Sequence, residues 1–370
     1  MSKYFTGVVV IILIALGVWM WGGSKKETKT GAPIRIGALI SQTGVAAQFG
    51  EMSKKGIDLA VDEINKAGGV DGRMVEVVYE DDRTDPKAAA GLYQKFTSVD
   101  HVDAIIGSNF DFVTQPVFAL AKTGNVVVIT PSSPRIAGAF DTNEMSFTMM
   151  SDFSKMVGTM SSYLDKESWK KIAVVRFESA FGAEITKTLN TLSNERGKGS
   201  VVDETYKQIG NNDFRTTVLK LKNAGVDVVF LDMIGPDPAT FVSQAKAIGF
   251  NPKYVIHTGL ADALAAKGAD PKVFEGFTVL NWEVSTDAYK EKFRARYTVQ
   301  PTNSSNRAYD AVYILAEAVA KSADTKSVAS YLGSHTFTTP NGQFAFSADH
   351  AGSMTPVRLE KFTNGTYVAY

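Results

Sequence analysis

From Ile34 onward the chain alternates between two hydrophobic periods, and this alternation limits the possible folds more than any other feature of the sequence. Ile34-Arg35-Ile36-Gly37-Ala38-Leu39 reads as a buried strand, after which Ile57, Ala60, Val61 and Ile64 recur at helical spacing up to a stop at Gly68-Gly69. Met74 to Tyr79 is a second strand, and Asp85-Pro86 supplies an N-cap and a first-position proline for a helix to about Ser98. Ala104 to Gly107 is a third strand, Pro116 starts another helix, and Val126 to Thr130 is a fourth strand. Strands alternating with helices predict an α/β fold whose parallel sheet is covered on both faces.

The same order restarts after Met150. Lys171 to Phe177, Val201 to Thr205, Val226 to Leu231 and Tyr254 to His257 read as strands, separated by helices over Phe181 to Asn194, Phe214 to Ala224 and Thr240 to Ile248. From Ala288 the chain turns helical (Tyr289 to Tyr297, Ser305 to Lys321) and finishes with β-like segments at Gln343 to Phe346, Val357 to Phe362 and Thr366 to Tyr370. With 370 residues the chain has room for two cores. The tail is too sparse for a third and is expected to complete the first two.

Ligands of open parallel sheets sit beyond the carboxyl ends of the strands. The candidate site is therefore built from the loops Ser41 to Gly50, Ser108 to Gln115, Pro131 to Gly138, Glu178 to Gly182, Asp232 to Pro238 and His257 to Asp262. Charge narrows what could bind there. Lys plus Arg and Asp plus Glu are equal at 39 each, which leaves no electrostatic footprint for nucleic acid and points to a small molecule or a protein partner. The absence of cysteine excludes structural disulfides, thiolate catalysis, Cys-ligated zinc and a lipid-modified N-terminal cysteine.

The first thirty-three residues stand apart from this pattern. Lys3 precedes an apolar run from Val8 to Trp21, and Ser24-Lys25-Lys26-Glu27-Thr28-Lys29 follows it, which is the layout of an export signal. Trp19, Met20 and Trp21 crowd the only place for cleavage, so the segment reads as an uncleaved membrane anchor, long enough from Tyr4 to Gly23 to cross the hydrocarbon core. Lys25, Lys26 and Lys29 lie after the run, so the positive-inside rule alone does not place the remainder outside.

Enzyme constellations are missing. Ser41-Gln42-Thr43-Gly44 lacks the clustered glycines of a dinucleotide loop, and Gly197-Lys198-Gly199-Ser200 lacks the flanking strand and helix of a phosphate loop and reads as a solvated turn. His101, His257, His335 and His350 are scattered, with only His257 ending a strand at the proposed mouth. There is no Gly-x-Ser-x-Gly elbow, and Asp81-Asp82 reads as a solvated strand end rather than a metal site. No catalytic residue, metal or cofactor is expected. What remains in the loops is receptor chemistry: hydroxyls, backbone groups, an occasional carboxylate, and Phe49, Phe110, Phe112 and Phe181 as an apolar wall.

Ile36-Gly37-Ala38-Leu39 followed by Thr43-Gly44 and Gln48-Phe49-Gly50, Gly56 to Asp62 with Ile64-Asn65, Gly68-Gly69-Val70-Asp71-Gly72, Tyr79-Glu80-Asp81-Asp82 with Asp85-Pro86, and Ile106-Gly107 with Thr114-Gln115-Pro116 together resemble one family. It is the type I periplasmic binding proteins of the Leu/Ile/Val-binding group, which deliver solutes to ABC importers. The resemblance implies two Rossmann-like lobes joined by three hinge crossovers, with the ligand cleft between them. It places lobe 1 at residues 34–150 completed by 285–351, and lobe 2 at 151–284 completed by 352–370. The crossovers would lie near Met150 to Asp152, Trp282 to Ser285 and Ala351 to Met354. It also implies an extracytoplasmic location, ABC permease subunits as partners, and capture of a small ligand, an amino acid or related compound, by cleft closure. The alternative is a ligand-sensing receptor domain that signals to a separate membrane partner.

Family binding positions transfer unevenly. The aromatics match Phe49 and Phe181, with Phe112 beside them, and the loop offering a carbonyl to the ligand ammonium matches Ser132, Ser133 and Pro134, although proline has neither hydroxyl nor amide hydrogen. The hydroxyl position that holds the ligand carboxylate is Asp111, the acidic position that pairs with the ammonium is Thr258, and a usual aromatic is Ile234. Asp111 would repel a carboxylate unless the ligand is turned around, neutral or cationic. Equally, Asp111 or Asp232 could receive a cationic group.

Overall fold

Ile34, Ile36 and Ala38 to Ile40 are almost completely buried, because the strand they form is covered from both sides. The computed structural model describes residues 31–370 except 211, 258, 266–268, 283–284 and 354–356. The segment read as an anchor lies outside the described residues. Among those described, no helix is long and apolar enough to cross a membrane.

The first unit runs β1 (Ile34–Ile40), α1 (Ala47–Lys66), β2 (Val75–Asp81), α2 (Pro86–Ser98), β3 (Ala104–Ile106), α3 (Asp111–Thr123), β4 (Val127–Thr130) and β5 (Ser146–Thr148). Its sheet is parallel throughout in the order β2-β1-β3-β4-β5, with Ile36 set between Val77 and Ala104. The Asp85 carboxylate caps α2 as the sequence predicts, accepting the Lys87 and Ala88 amides at 2.7 and 3.2 Å. Helix α3 departs from expectation: it starts at Asp111, and Pro116 lies inside it. Phe110 ends the extended loop, and the Asp111 carboxylate takes the Phe112 amide in the first turn, so the proline withholds only the amide that would have bonded the Phe112 carbonyl. Asp82 also corrects the sequence reading. It is fully buried, accepting the Ser41 hydroxyl at 2.6 Å and the Thr84 amide at 2.8 Å, and it shapes a loop rather than meeting solvent.

The second unit runs α4 (Ser154–Lys166), β6 (Ile172–Phe177), α5 (Ala180–Glu195), β7 (Val202–Tyr206), α6 (Arg215–Asn223), β8 (Val228–Asp232), α7 (Asp237–Ala247), β9 (Lys253–His257), α8 (Gly259–Ala265), a 3₁₀ turn at Pro271–Phe274 and β10 (Thr278–Asn281). The chain then returns to the first unit with α9 (Asp287–Tyr297), α10 (Asn303–Ala320), α11 (Thr325–Ser334) and the hairpin of β11 (Thr336–Thr339) and β12 (Gly342–Ala345). It ends with β13 (Arg358–Thr363) and β14 (Thr366–Ala369), which pair antiparallel on the edge of the second sheet. That sheet has the order β14-β13-β10-β9-β8-β6-β7. Alternate residues of β6 serve its two faces: Ile172 and Val174 join one core, while Ala173 and Val175 pack with Phe214, Val218 and Phe241 in the other.

Helix α10 is buried almost throughout and lies against α1, where the approach requires glycine: a Cβ at Gly56 would stand 2.0 Å from the Ser305 carbonyl oxygen. The three crossovers between units meet near Met149. Arg307 of α10 donates to the carbonyls of Met149 in the first crossover and Trp282 in the second, both at 2.7 Å, and the Gly352 amide of the third donates to the carbonyls of Thr148 and Met150 at 3.0 and 2.9 Å.

Candidate functional site

Between the carboxyl ends of the two sheets lies a cavity of about 110 Å³. Phe49, Asp111, Phe112, Ser132, Ser133, Pro134, Phe181, Asp232 and Ile234, all candidates from the sequence, line it. Thr258, the remaining candidate, lies outside the described residues. Loops from Phe49 to Ile234, far apart in the chain, thus converge, because each follows a strand of one of two sheets whose carboxyl ends face each other.

Aromatic rings form much of the wall. Phe49 meets Phe110 edge-on with centroids 5.1 Å apart, and Phe110 lies 5.6 Å from Phe112, which continues to Phe177. From the second unit, Phe181 stands edge-on to His257 at 5.3 Å and 6.1 Å from Trp282. The serines are committed locally: the Ser132 hydroxyl donates to the Asn109 side chain at 3.1 Å and the Ser133 hydroxyl to the Asn109 carbonyl at 3.0 Å.

The carboxylates are the chemical centre of the site. Asp111 opens α3, and its carboxylate accepts its neighbour Phe112 amide at 2.8 Å and, from the other unit, the Phe181 amide at 3.0 Å. Phe181 lies in the first turn of α5, whose start is fixed by the Ser179 hydroxyl accepting the Gly182 amide at 3.0 Å. Burial pushes the Asp111 carboxyl above its ordinary range; the two amides pull it back, and the nearby Asp232 charge adds to the rise. Asp232 ends β8 and holds the His257 Nε2 at 3.0 Å. The Gly259 amide donates to His257 Nδ1, so Nε2 carries the proton and donates to Asp232. The other Asp232 oxygen, Oδ2, is buried without a hydrogen-bond partner.

Asn303, Ser304 and Arg307 of α10 line the cavity from outside every predicted loop. Arg307, in the second turn of α10, follows the polar run Asn303-Ser304-Ser305-Asn306, and nothing in that pattern separates it from an ordinary solvated helix start. Trp282 and Asp262 come from a crossover and from α8. Burial raises the Asp262 carboxyl to about 7. Among the described residues no group of acidic or histidine side chains is arranged to hold a metal ion. Of the other histidines, His350 stacks on Phe147 and His335 on Tyr331, both structural positions.

The sequence pattern of the family described as periplasmic binding protein matches residues 33–366. The chain is 28% identical over 327 residues to the leucine-, isoleucine-, valine-, threonine- and alanine-binding protein of Pseudomonas aeruginosa, covering 85% of each chain. It is 27% identical over 275 residues to a Leu/Ile/Val-binding protein homologue of Brucella abortus, covering 74% of this chain and 70% of the other. In structure it resembles the isoleucine-bound substrate-binding protein of the branched-chain amino acid transporter of Streptococcus pneumoniae (TM-score 0.79, 24% identity, 91% and 98% of the two chains covered). It likewise resembles a benzoate-bound solute-binding protein of an ABC transporter from R. palustris (TM-score 0.77, 22% identity, 91% and 95% covered). The two sheets, the three crossovers meeting at Met149, the cavity between facing strand ends and a match along almost the whole described length make this chain a member of the periplasmic binding protein family, a solute-binding receptor.

Proposed function

We propose that the protein captures one compact solute in the cavity between its two sheets, closes on it by bending at the crossovers, and presents the closed form to the permease of an ABC importer. The observation that carries this reading is the Asp111 to Phe181 hydrogen bond, which spans the cavity from one unit to the other and can exist only while the cleft is closed. Lobe 1 would comprise residues 34–150 with 285–351, and lobe 2 residues 151–284 with 352–370. The predicted crossovers at Trp282 to Ser285 and Ala351 to Met354 fall partly outside the described residues. The ligand is an amino acid or a related small compound, and no bond is made or broken in the cleft. The receptor works outside the cytoplasm, tethered by its N-terminal apolar segment.

The test is a thermal-shift panel of amino acids, amides, amines, polyamines and small acids on the full-length protein in detergent. A ligand at a hundred times its dissociation constant stabilises the protein by about 2.7 kcal/mol, and small-angle scattering should show the same compound reducing the radius of gyration. If no compound shifts the melting point, or the one that does leaves the shape unchanged, capture by closure is wrong.

A further inference from the structure

We propose that the solute is a compact cation with N–H donors and no carboxylate, a short alkylammonium, seated between Asp111 and Asp232. The inference rests on the receptor reading above and specifies the ligand of that cavity.

Two carboxylates from opposite sides of the cleft converge on one helical turn. Asp111 takes the Phe181 amide at 3.0 Å, and Asp232 Oδ2 lies so close to the next residue that a Cβ on Gly182 would be 2.4 Å from it. The Asp232 side chain is buried to all but 7% of its surface. Its Oδ1 is engaged by His257, while Oδ2 has no donor. A buried carboxylate oxygen left without a donor is strongly unfavourable, so the position calls for an N–H from outside the protein.

The first-turn helix amides that could hold a ligand carboxylate are already taken. The first-turn amides of a helix attract anions, and here Asp111 supplies the anion itself, to the Phe112 amide of α3 and the Phe181 amide of α5. The cavity is lined by Asp111, Asp232 and Asp262 against one guanidinium, and Arg307 directs Nη1 and Nη2 to the carbonyls of Met149 and Trp282. An incoming carboxylate would meet like charge, whereas an ammonium meets complementary charge and aromatic faces that favour cations. Size sets the rest. A cavity of about 150 Å³ holds benzene, so 110 Å³ admits only a short apolar body behind the charged nitrogen.

Calorimetric titration of the full-length protein in detergent separates these features with four probes: leucine, isoamylamine (leucine without its carboxylate), 4-methylvalerate (leucine without its ammonium) and tetramethylammonium, a cation without N–H. Isoamylamine should bind, with leucine and tetramethylammonium at least about tenfold weaker and 4-methylvalerate silent. Asp232→Asn, which keeps the shape and removes the charge, should weaken isoamylamine at least about tenfold, with an unliganded melting point within about 3 °C of the parent. Leucine or 4-methylvalerate binding as tightly as the amine, or an unchanged amine affinity in D232N, overturns the proposal. The same holds if the wider panel binds only compounds without a cationic nitrogen. Any of these results leaves the receptor reading intact, whereas silence from every compound overturns both.

Discussion

The carboxylate of Asp111, in the first turn of α3, accepts the backbone amide of Phe181, in the first turn of α5, at 3.0 Å, so the two halves of the cleft are joined by the protein's own groups. A hydrogen bond to a charged acceptor contributes about 1.5–3 kcal/mol. Asp111→Ala should therefore shift the unliganded receptor toward the open form by roughly ten- to a hundredfold. An increased radius of gyration in scattering checks this; an unchanged one would show that the bond adds nothing to closure.

Arg307→Met would remove the donors to Met149 and Trp282 while keeping most of the side-chain volume. With two carbonyls losing their partner inside the core, the variant should lose about 3 kcal/mol. Urea unfolding measures the loss, and the midpoint should fall without a large change in slope.

Gly56 and Gly91 form a matched pair of helical glycines with opposite expected outcomes. Alanine at Gly56 places a methyl group against the Ser305 carbonyl and should destabilise by about 2 kcal/mol or more. Alanine at Gly91 meets nothing within 4 Å and should be neutral or stabilise by up to about 1 kcal/mol. Parallel thermal melts of the two variants test the helix packing directly.

Burial raises the Asp262 carboxyl from 3.8 to about 7 in the folded protein. The folded state then holds its proton more tightly than the unfolded chain. This contribution to stability is present below about pH 4, falls as pH rises toward 7, and is absent above it. Asp262→Asn should gain on the parent across that interval, by about 4 kcal/mol at most. Unfolding both proteins at pH 4, 6 and 8 gives the difference, and a constant difference would mean that the group is not buried as a charge.

The strands were legible because parallel strands buried on both faces leave continuous apolar runs, as in Val228–Asp232. β5 and β10, Ser-Phe-Thr and Thr-Val-Leu-Asn, lack the unbroken apolar run that marks the equally short β3 and β4. Helix α4 carries a readable stripe, Met156, Met160, Tyr163 and Leu164, but its mean composition is polar enough to pass for a connection. At the site, Asp111 stood out only through the resemblance, which makes its loop position the one that holds a ligand carboxylate. Its partner was not legible, because the Phe181 amide belongs to the other unit and only the relative placement of two sheets brings it near. Asp82 failed for the same reason: a charged residue at a strand end looks solvated until the Ser41 loop folds over it.

The meeting of all three crossovers at Met149 bears on how such a cleft can move. Arg307 binds the first crossover to the second, the Gly352 amide binds the third to the first, and a Cβ on Gly352 would stand only 2.5 Å from the Met149 carbonyl oxygen. Three chain segments pinned to one another cannot bend about separate axes. If the cleft opens as proposed, the swing has a single coordinate, along which both walls of the cavity separate together.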